Sequence, residues 1–221
     1  MMTLELSPLF ITLKVAGLAT LLALVLGTLA AYVLAKHSFP GKEMLDTLFT
    51  LPMVLPPTVL GYYLLVSFGR NGIPGRWLEH VFGLSLVFTW QGAVLAAAVV
   101  SLPLVQKSAR VAFEGVDGTL QDAARTLGKS EFAVFLLVTL PLAWRVILSG
   151  VMLAFARAVG EFGATLMIAG NLPGKTQTLS LAIYDAVQSG NDSLGTVLVL
   201  TTSSVCAGVL LLSKRLLKTE V

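Results

Sequence analysis

Apolar residues in this chain run in long unbroken stretches rather than in short alternations. Residues 15–35 carry no charge between Lys14 and Lys36, 47–69 none between Asp46 and Arg70, 81–106 none between Glu79 and Lys107, and 193–213 none between Asp192 and Lys214. A helix needs about 20 apolar residues to cross a hydrocarbon core of about 30 Å, so each stretch is long enough to span a membrane. Residues 132–156 are also long enough, with Arg145 as the single interruption. The pattern predicts an all-α, polytopic membrane helix bundle of about five transmembrane helices. The first stretch exceeds the roughly 7–15 residues of a secretory signal's apolar core, and no Ala-x-Ala-like cleavage site precedes Lys36, so it reads as a retained helix.

Two regions break the pattern. Residues 162–174 are uncharged but too short to cross as a helix, and Pro173-Gly174 interrupts them. The stretch between Arg157 and Asp192 is therefore expected to be external or re-entrant, with a short helix over 179–187. Such a long connection suggests a functional role. The second span holds Pro52, Pro56 and Pro57, which remove ladder donors and predict a kinked or unwound helix. Irregular backbone at membrane depth is tolerated only when it is buried in protein or lines a cavity. A packing kink and a pathway wall both fit that rule. The pathway hypothesis names Leu55, Pro56, Pro57, Thr58 and Gly61 as lining residues, together with Arg157 and Glu161.

Composition agrees with the pattern. The 221 residues are 56% hydrophobic and 12% charged, with a mean hydropathy of +0.86, whereas soluble domains carry roughly 25% charged residues. This length leaves room for one membrane domain over 1–221. The net charge of +3 is explained by topology, because cytoplasmic loops collect Lys and Arg. With the C-terminus inside, the inner segments carry nine cations: Lys36, Lys42, Lys107, Arg110, Arg125, Lys129, Lys214, Arg215 and Lys218. The outer loops carry three, Arg70, Arg76 and Lys175. The asymmetry places the N-terminus outside and the C-terminus in the cytoplasm. No basic run with interleaved aromatics exists of the kind nucleic-acid binding requires. The lone Cys206 can form neither an intrachain disulfide nor a metal site, and it reads as a small packed hydrophobe.

Charges within the spans are few. Arg145, just after Pro141, is placed to snorkel to headgroups. Arg157 and Glu161 are four apart and can pair along one helix face. A charge at mid-bilayer costs roughly 2.5–3.5 kcal/mol on insertion scales. Two readings of the pair stay open: a structural ion pair near the outer end of the span, or an Arg157 that lowers the barrier for an incoming dianion. His37 and His80 fall in loops, no clean span holds Asp or Glu, and no internal repeat is visible. These features argue against a proton-coupled carrier, an ATP-independent channel and a membrane enzyme. Ala169 to Thr176 fits a relaxed phosphate-loop pattern, but Ala169 replaces the first Gly, no strand precedes it and Pro173 lacks an N–H. We read it as an external turn that does not bind ATP.

The most informative segment is the loop between the third and fourth long stretches. Thr119-Leu120-Gln121-Asp122 fits a helix start with Thr119 as cap. Leu120, Ala123, Ala124 and Leu127 share one apolar face at i, i+3, i+4 and i+7, and Gly128 can end the helix in the left-handed conformation. Eight residues make about 12 Å of helix, too short to be stable alone in water. It must dock, either on its own transmembrane helices or on a partner.

Asp122-Ala123-Ala124, Gly128, Val138 and Leu140-Pro141 at this spacing resemble the EAA loop of binding-protein-dependent ABC transporter permeases, with Asp where Glu is common. Further stretches resemble the molybdate branch of that family: Ser38 to Lys42, Leu51 to Pro57, Phe113 to Asp117, Ala123 to Gly128 and Ala154 to Thr165. The resemblance covers most of the chain from Phe10 to Leu212. It implies a permease subunit of an ATP-driven importer for molybdate, with tungstate and sulfate permeases as near relatives. Leu120, Asp122, Ala123, Ala124, Arg125, Leu127 and Gly128 would then form the coupling element for an ATPase. The implied partners are a second copy of the chain, two ATPase subunits that hold ATP and Mg, and an external oxyanion-binding protein. The chain itself would carry no cofactor, no metal and no catalytic residue.

Overall fold

The computed structural model describes residues 3–217, so Lys218, one of the cations counted toward topology, lies outside it. Every regular element among the described residues is helical. Helix α1 spans Thr3–Lys36, α2 Lys42–Val54, α3 Pro57–Phe68, α4 Ile73–Phe82 and α5 Trp90–Glu114. After α6 (Gly118–Thr126) come α7 (Glu131–Val134), a π-helical turn (Phe135–Thr139) and α8 (Leu140–Val159), which together form one run. Helices α9 (Gly163–Ala169), α10 (Leu179–Gln188) and α11 (Asp192–Leu217) follow. Four helical runs are long and apolar enough to cross a membrane, and the bent pair α2–α3 makes a fifth when its two halves are counted as one span.

Helices α1 and α5 form the spine and run parallel. Lys14 sits over Trp90, Gly27 faces Val105 and Gln106, and Tyr32 stacks edge-on with Phe113. Their shared face is a stripe of small residues: Ala16, Ala19, Ala23 and Ala31 are buried against a helix that buries Ala93, Ala96, Ala97 and Ala109. In lipid there is no hydrophobic force between helices, and small side chains let backbones approach for dispersion contact. A Cβ on Gly27 would come within 3.2 Å of the Gln106 amide. Large apolar side chains such as Leu21, Leu22, Val25 and Leu29 point outward, as expected where the solvent is lipid. Thr12 joins α1 to α10: its Oγ1 donates to Pro8 O and accepts from the Leu179 amide, both at 2.7 Å.

One expectation is corrected and two are made specific. The third span begins at Trp90 rather than at residue 81. Residues 81–89 are uncharged, but Gly83 at φ 64° closes α4 and Thr89 starts a new helix, its Oγ1 accepting from the Gly92 amide. The second span is broken by 114°, and Pro52 stays inside α2 while the break falls at Leu55–Pro56. Pro56 extends (ψ 134°) and Pro57 opens α3, a position where a missing N–H costs nothing. The segment over 162–174 is not external along its length. Gly163, Ala164, Thr165, Ile168 and Ala169 of α9 are buried in the bundle. Ile168 O accepts from the Phe88 amide at 2.9 Å just before α5 begins, so α9 is tied to the start of α5. The short helix expected over 179–187 is present as α10.

The π-helical turn has a local cause. Pro141 cannot donate to the preceding turn, and the chain widens there so that the Leu140 amide reaches Phe135 O instead. The turn brings Phe135 onto Tyr32, with ring centroids 4.7 Å apart, and within 5.9 Å of Phe113.

Candidate functional site

Helix α6 is placed by polar contacts rather than by its apolar face. Its cap is Asp117, not Thr119: Asp117 Oδ1 accepts from the Thr119 amide at 2.9 Å. This hydrogen bond to the ionised form holds the Asp117 carboxyl below its usual pKa range. The other end closes as the sequence indicates. Gly128 has φ 78°, its amide donates to Arg125 O at 2.9 Å and the Lys129 amide to Ala124 O at 3.2 Å, the paired closure of a Schellman motif.

Gln121 is the buried residue of α6, 2% exposed. Its Oε1 accepts from Lys36 Nζ, the last residue of α1, at 2.6 Å. With that polar side turned inward, the apolar face turns out: Leu120 is 49% and Leu127 79% exposed, and Ala123 is exposed. The helix does not dock this face onto its own transmembrane helices. Arg125 faces its own chain as a strut. It pairs with Asp122 at 2.6 Å and grips Glu131 through Nε at 2.7 Å and a terminal nitrogen at 3.0 Å. Both carboxylates push the Arg125 pKa up, the Glu131 hydrogen bond most. Lys36, Asp117 and Glu131 were missed as parts of this element, and Gln121 was placed on it without its inward contact. Only Asp117, just ahead of Gly118, carried a local signal.

The broken span contributes a second constellation. Pro52, Met53, Leu55 and Pro57 line a cavity of about 140 Å³ together with Val100, Leu104 and Arg157. Val100 and Leu104 lie about 15 Å or more along α5 from Trp90. Arg157, in the last turn of α8, is therefore level with the middle of α5. Its guanidinium pairs with Glu161 at 2.8 Å; Glu161 is 2% exposed, and its Oε1 accepts from the Ala164 amide at 2.9 Å. One buried carboxylate thus joins the end of α8 to the start of α9. Of the residues named for the pathway, Leu55, Pro57 and Arg157 meet at this cavity. Pro56 and Thr58 are exposed beside it. Gly61 is a packing position instead, where a Cβ would lie 2.6 Å from Met167 Cβ and 2.9 Å from Ala164 Cα. Gly163 makes a similar approach, its Cβ position 2.8 Å from Pro57 Cβ.

Among the described residues no cluster of His, Cys, Asp or Glu could hold a metal. The Ala169–Thr176 turn is closed on itself: Thr176 is buried, donates to Gly170 O at 3.2 Å and accepts from the Leu172 amide at 3.1 Å.

Known proteins share much of this sequence and its fold. Residues 23–218 match the family described as binding-protein-dependent transport system inner membrane component. The chain is 46% identical over 202 residues to the molybdenum transport system permease protein ModB of Escherichia coli (strain K12), covering 91% of this chain and 88% of that protein. It is 38% identical over 178 residues to the sulfate transport system permease protein CysT of the same strain, covering 80% of this chain and 64% of that one. A solved structure of the MetNI methionine ABC transporter in inward-facing conformations has the same fold, with a TM-score of 0.75 at 16% identity, covering 98% of this chain and 96% of that one. With the match spanning most of its length, the chain belongs to the family of binding-protein-dependent transport system inner membrane components.

Proposed function

We propose that two copies of this chain form the membrane pathway of an ATP-driven importer for molybdate. Each copy receives force from a separate ATPase subunit through α6. The observation that carries the coupling role is the orientation of α6: Gln121 and Arg125 hold it to its own chain while Leu120 and Leu127 are left exposed. A short helix fixed by polar contacts and presenting an apolar face suits insertion into a groove of another protein. ATP and Mg belong to that partner, and closure of the ATPase pair switches the bundle between outward and inward access. The N-terminus faces outward and the C-terminus the cytoplasm, in keeping with the Lys and Arg asymmetry.

The choice of molybdate rests on the 46% relative named a molybdenum permease, against 38% for the sulfate permease. Tight selection belongs to an external oxyanion-binding protein, because a pathway that held the dianion strongly would release it slowly. Arg157 at the broken-span cavity offers the passing dianion a partner that Glu161 already keeps in place.

The test is uptake and anion-stimulated ATPase activity of the reconstituted complex with its binding protein, comparing molybdate, tungstate and sulfate. Molybdate is expected to stimulate, and stimulation by sulfate alone would move the chain to the sulfate branch. Asp122→Arg breaks the Arg125 strut, and Gly128→Pro removes both the left-handed cap and a donor. Both are expected to abolish uptake while the protein still inserts. Normal uptake by both variants would remove the coupling role.

A further inference from the structure

Helix α2 is fastened to its own chain by charge rather than by packing. None of its residues is buried, and Met44, Leu48, Leu51 and Val54 stand exposed along one side. Beyond the break, α3 buries Leu60, Gly61 and Leu64. Among the described residues, every side-chain hydrogen bond and ion pair from α2 to another element runs through Asp46. Its carboxylate meets three donors on one face of α5. Oδ1 accepts from Gln106 Nε2 at 3.1 Å and pairs with an Arg110 terminal nitrogen at 3.0 Å, while Oδ2 accepts from Lys107 Nζ at 3.3 Å. Gln106 is fully buried and its Oε1 has no partner. Its one side-chain hydrogen bond among the described residues is the one to Asp46.

The two cations do not depend on Asp46. Arg110 also holds Glu114, one turn further along α5, at 2.8 Å, and Lys107 is half-exposed. If Asp46 leaves, the arginine keeps an ion pair and the lysine is hydrated. Exposed ion pairs contribute little to stability, and α2 has no buried apolar residue to uncover. The contact is specific in geometry yet weak enough to open. Its place in the fold matters as well. Only Gly115, Val116 and Asp117 separate the end of α5 from α6. In the other direction α2 runs antiparallel along α5: Asp46 meets residues 106–110, while Pro52, Met53 and Leu55 meet Val100 and Leu104 at the Arg157 cavity. Helix α2 therefore lies over the stretch of α5 between that cavity and α6. Its far end is a joint of two extended residues, Leu55 (ψ 140°) and Pro56 (ψ 134°), the kind of position that absorbs the dihedral change of a hinge.

From this arrangement we infer that Asp46 is a positioning residue that latches α2 over α5. Its release from Gln106, Lys107 and Arg110 lets α2 swing about Leu55 and Pro56 and opens the Arg157 cavity toward the α6 end of the bundle. This role rests on the importer function proposed for two copies of the chain, and it names the element that moves. Because α6 follows directly on the latched end of α5, a pull on α6 reaches the Asp46 contacts before it reaches the cavity. Release also uncovers Gln106 on the side that Asp46 occupied, where its amide meets water.

The test uses the intact transport complex in nanodiscs, with one spin label per permease copy at Leu48→Cys in a Cys206→Ser background. Leu48 is exposed and, two residues from Asp46, stands on the opposite side of α2. Pulsed dipolar spectroscopy then reads a single distance between the two copies. The otherwise unaltered chain is expected to show two defined distances that differ by about 5 Å and exchange when ATP and vanadate are added. Asp46→Asn should lower the latched population at least fivefold in the nucleotide state that favours it. Lys107→Gln combined with Arg110→Gln, which acts from the α5 side, should do the same. Complexes of correct subunit composition in each variant show that folding and assembly are intact. Unaltered distances in both variants would overturn the latch. So would broadening without a second defined distance, which reduces Asp46 to a packing contact. One distance in every nucleotide state of the reference complex would overturn the release. The distance measurement needs no cargo, so its failure leaves the importer function standing. Absence of molybdate uptake with the variant populations shifted would instead remove that function and keep the latch.

Discussion

Gln121 on α6 and Lys36 at the end of α1, 85 positions apart, meet in a 2.6 Å hydrogen bond that sets the rotation of the loop helix. The bond fixes which face of α6 is offered outward. Lys36→Met would leave the Gln121 amide buried with neither end satisfied, since its Nε2 already lacks a partner. Losing a hydrogen bond to a charged group costs about 1.5–3 kcal/mol. We expect faster hydrogen exchange over residues 118–127 in Lys36→Met and near-normal exchange in Lys36→Arg. In the reconstituted complex, uptake per ATP hydrolysed should fall in the first and recover in the second. Wild-type exchange in Lys36→Met would show that something else orients the helix.

Asp117 gives the same helix a pH dependence. Its folded-state pKa is depressed, chiefly by the hydrogen bond from the Thr119 backbone. A depressed acid contributes stability that is present above its unfolded value and lost as pH falls through the folded value. The start of α6 should therefore keep its protection at neutral pH and lose it below about pH 4. Asp117→Asn retains an acceptor without a titrating group, so its Thr119 amide should exchange with no such step. The comparison is read by exchange mass spectrometry across pH, and identical profiles for the two proteins would exclude Asp117 as the source.

Five crossings could be seen in the hydropathy because charge-free runs of 20 or more residues have few alternatives in lipid. Their ends were less visible. Residues 81–89 are as apolar as a span, and only the left-handed Gly83 and the cap at Thr89 separate them from α5. Gly128 was readable because a helix stop has a local residue signature. Asp117 was passed over for Thr119 because two adjacent stretches both offered cap chemistry. The partners of Gln121 and Arg125 depended on how α1 and α7 pack around the loop, which no spacing encodes. Leu55, Pro57 and Arg157 were named for the pathway, but their meeting at one cavity is a property of the fold.

Gly61 yields a stability prediction. A Cβ at this position would meet Met167 Cβ at 2.6 Å and the Ala164 backbone at 2.9 Å, and Ala164 is fully buried. Overpacking a tight contact costs typically about 1–3 kcal/mol. Gly61→Val should lower the thermal midpoint of the detergent-solubilised protein by several degrees, while Gly17→Ala, whose Cβ meets nothing within 4 Å, should leave it unchanged. An equal midpoint for both variants would mean that α3 and α9 separate readily.

Arg157 and Glu161 allow stability and transport to be separated. Glu161 is buried and shared between the Arg157 guanidinium and the Ala164 amide, whereas Arg157 is 37% exposed toward the cavity. Removing the cation strands a buried carboxylate, at a cost between the ~1 kcal/mol of an exposed pair and the ~3–5 kcal/mol of a fully buried one. Arg157→Met should therefore be clearly less stable than the wild type. Adding Glu161→Gln should restore much of the loss, because a neutral amide needs no counter-ion and can still accept from Ala164. Thermal melts of the wild type, Arg157→Met, Glu161→Gln and the double variant give the coupling directly, and a double variant no more stable than Arg157→Met would remove the electrostatic account of the pair. Transport should behave differently. If the Arg157 charge eases the dianion past the broken span, uptake stays low in the double variant even though its stability has returned. Recovery of uptake together with stability would instead assign the pair a purely structural role.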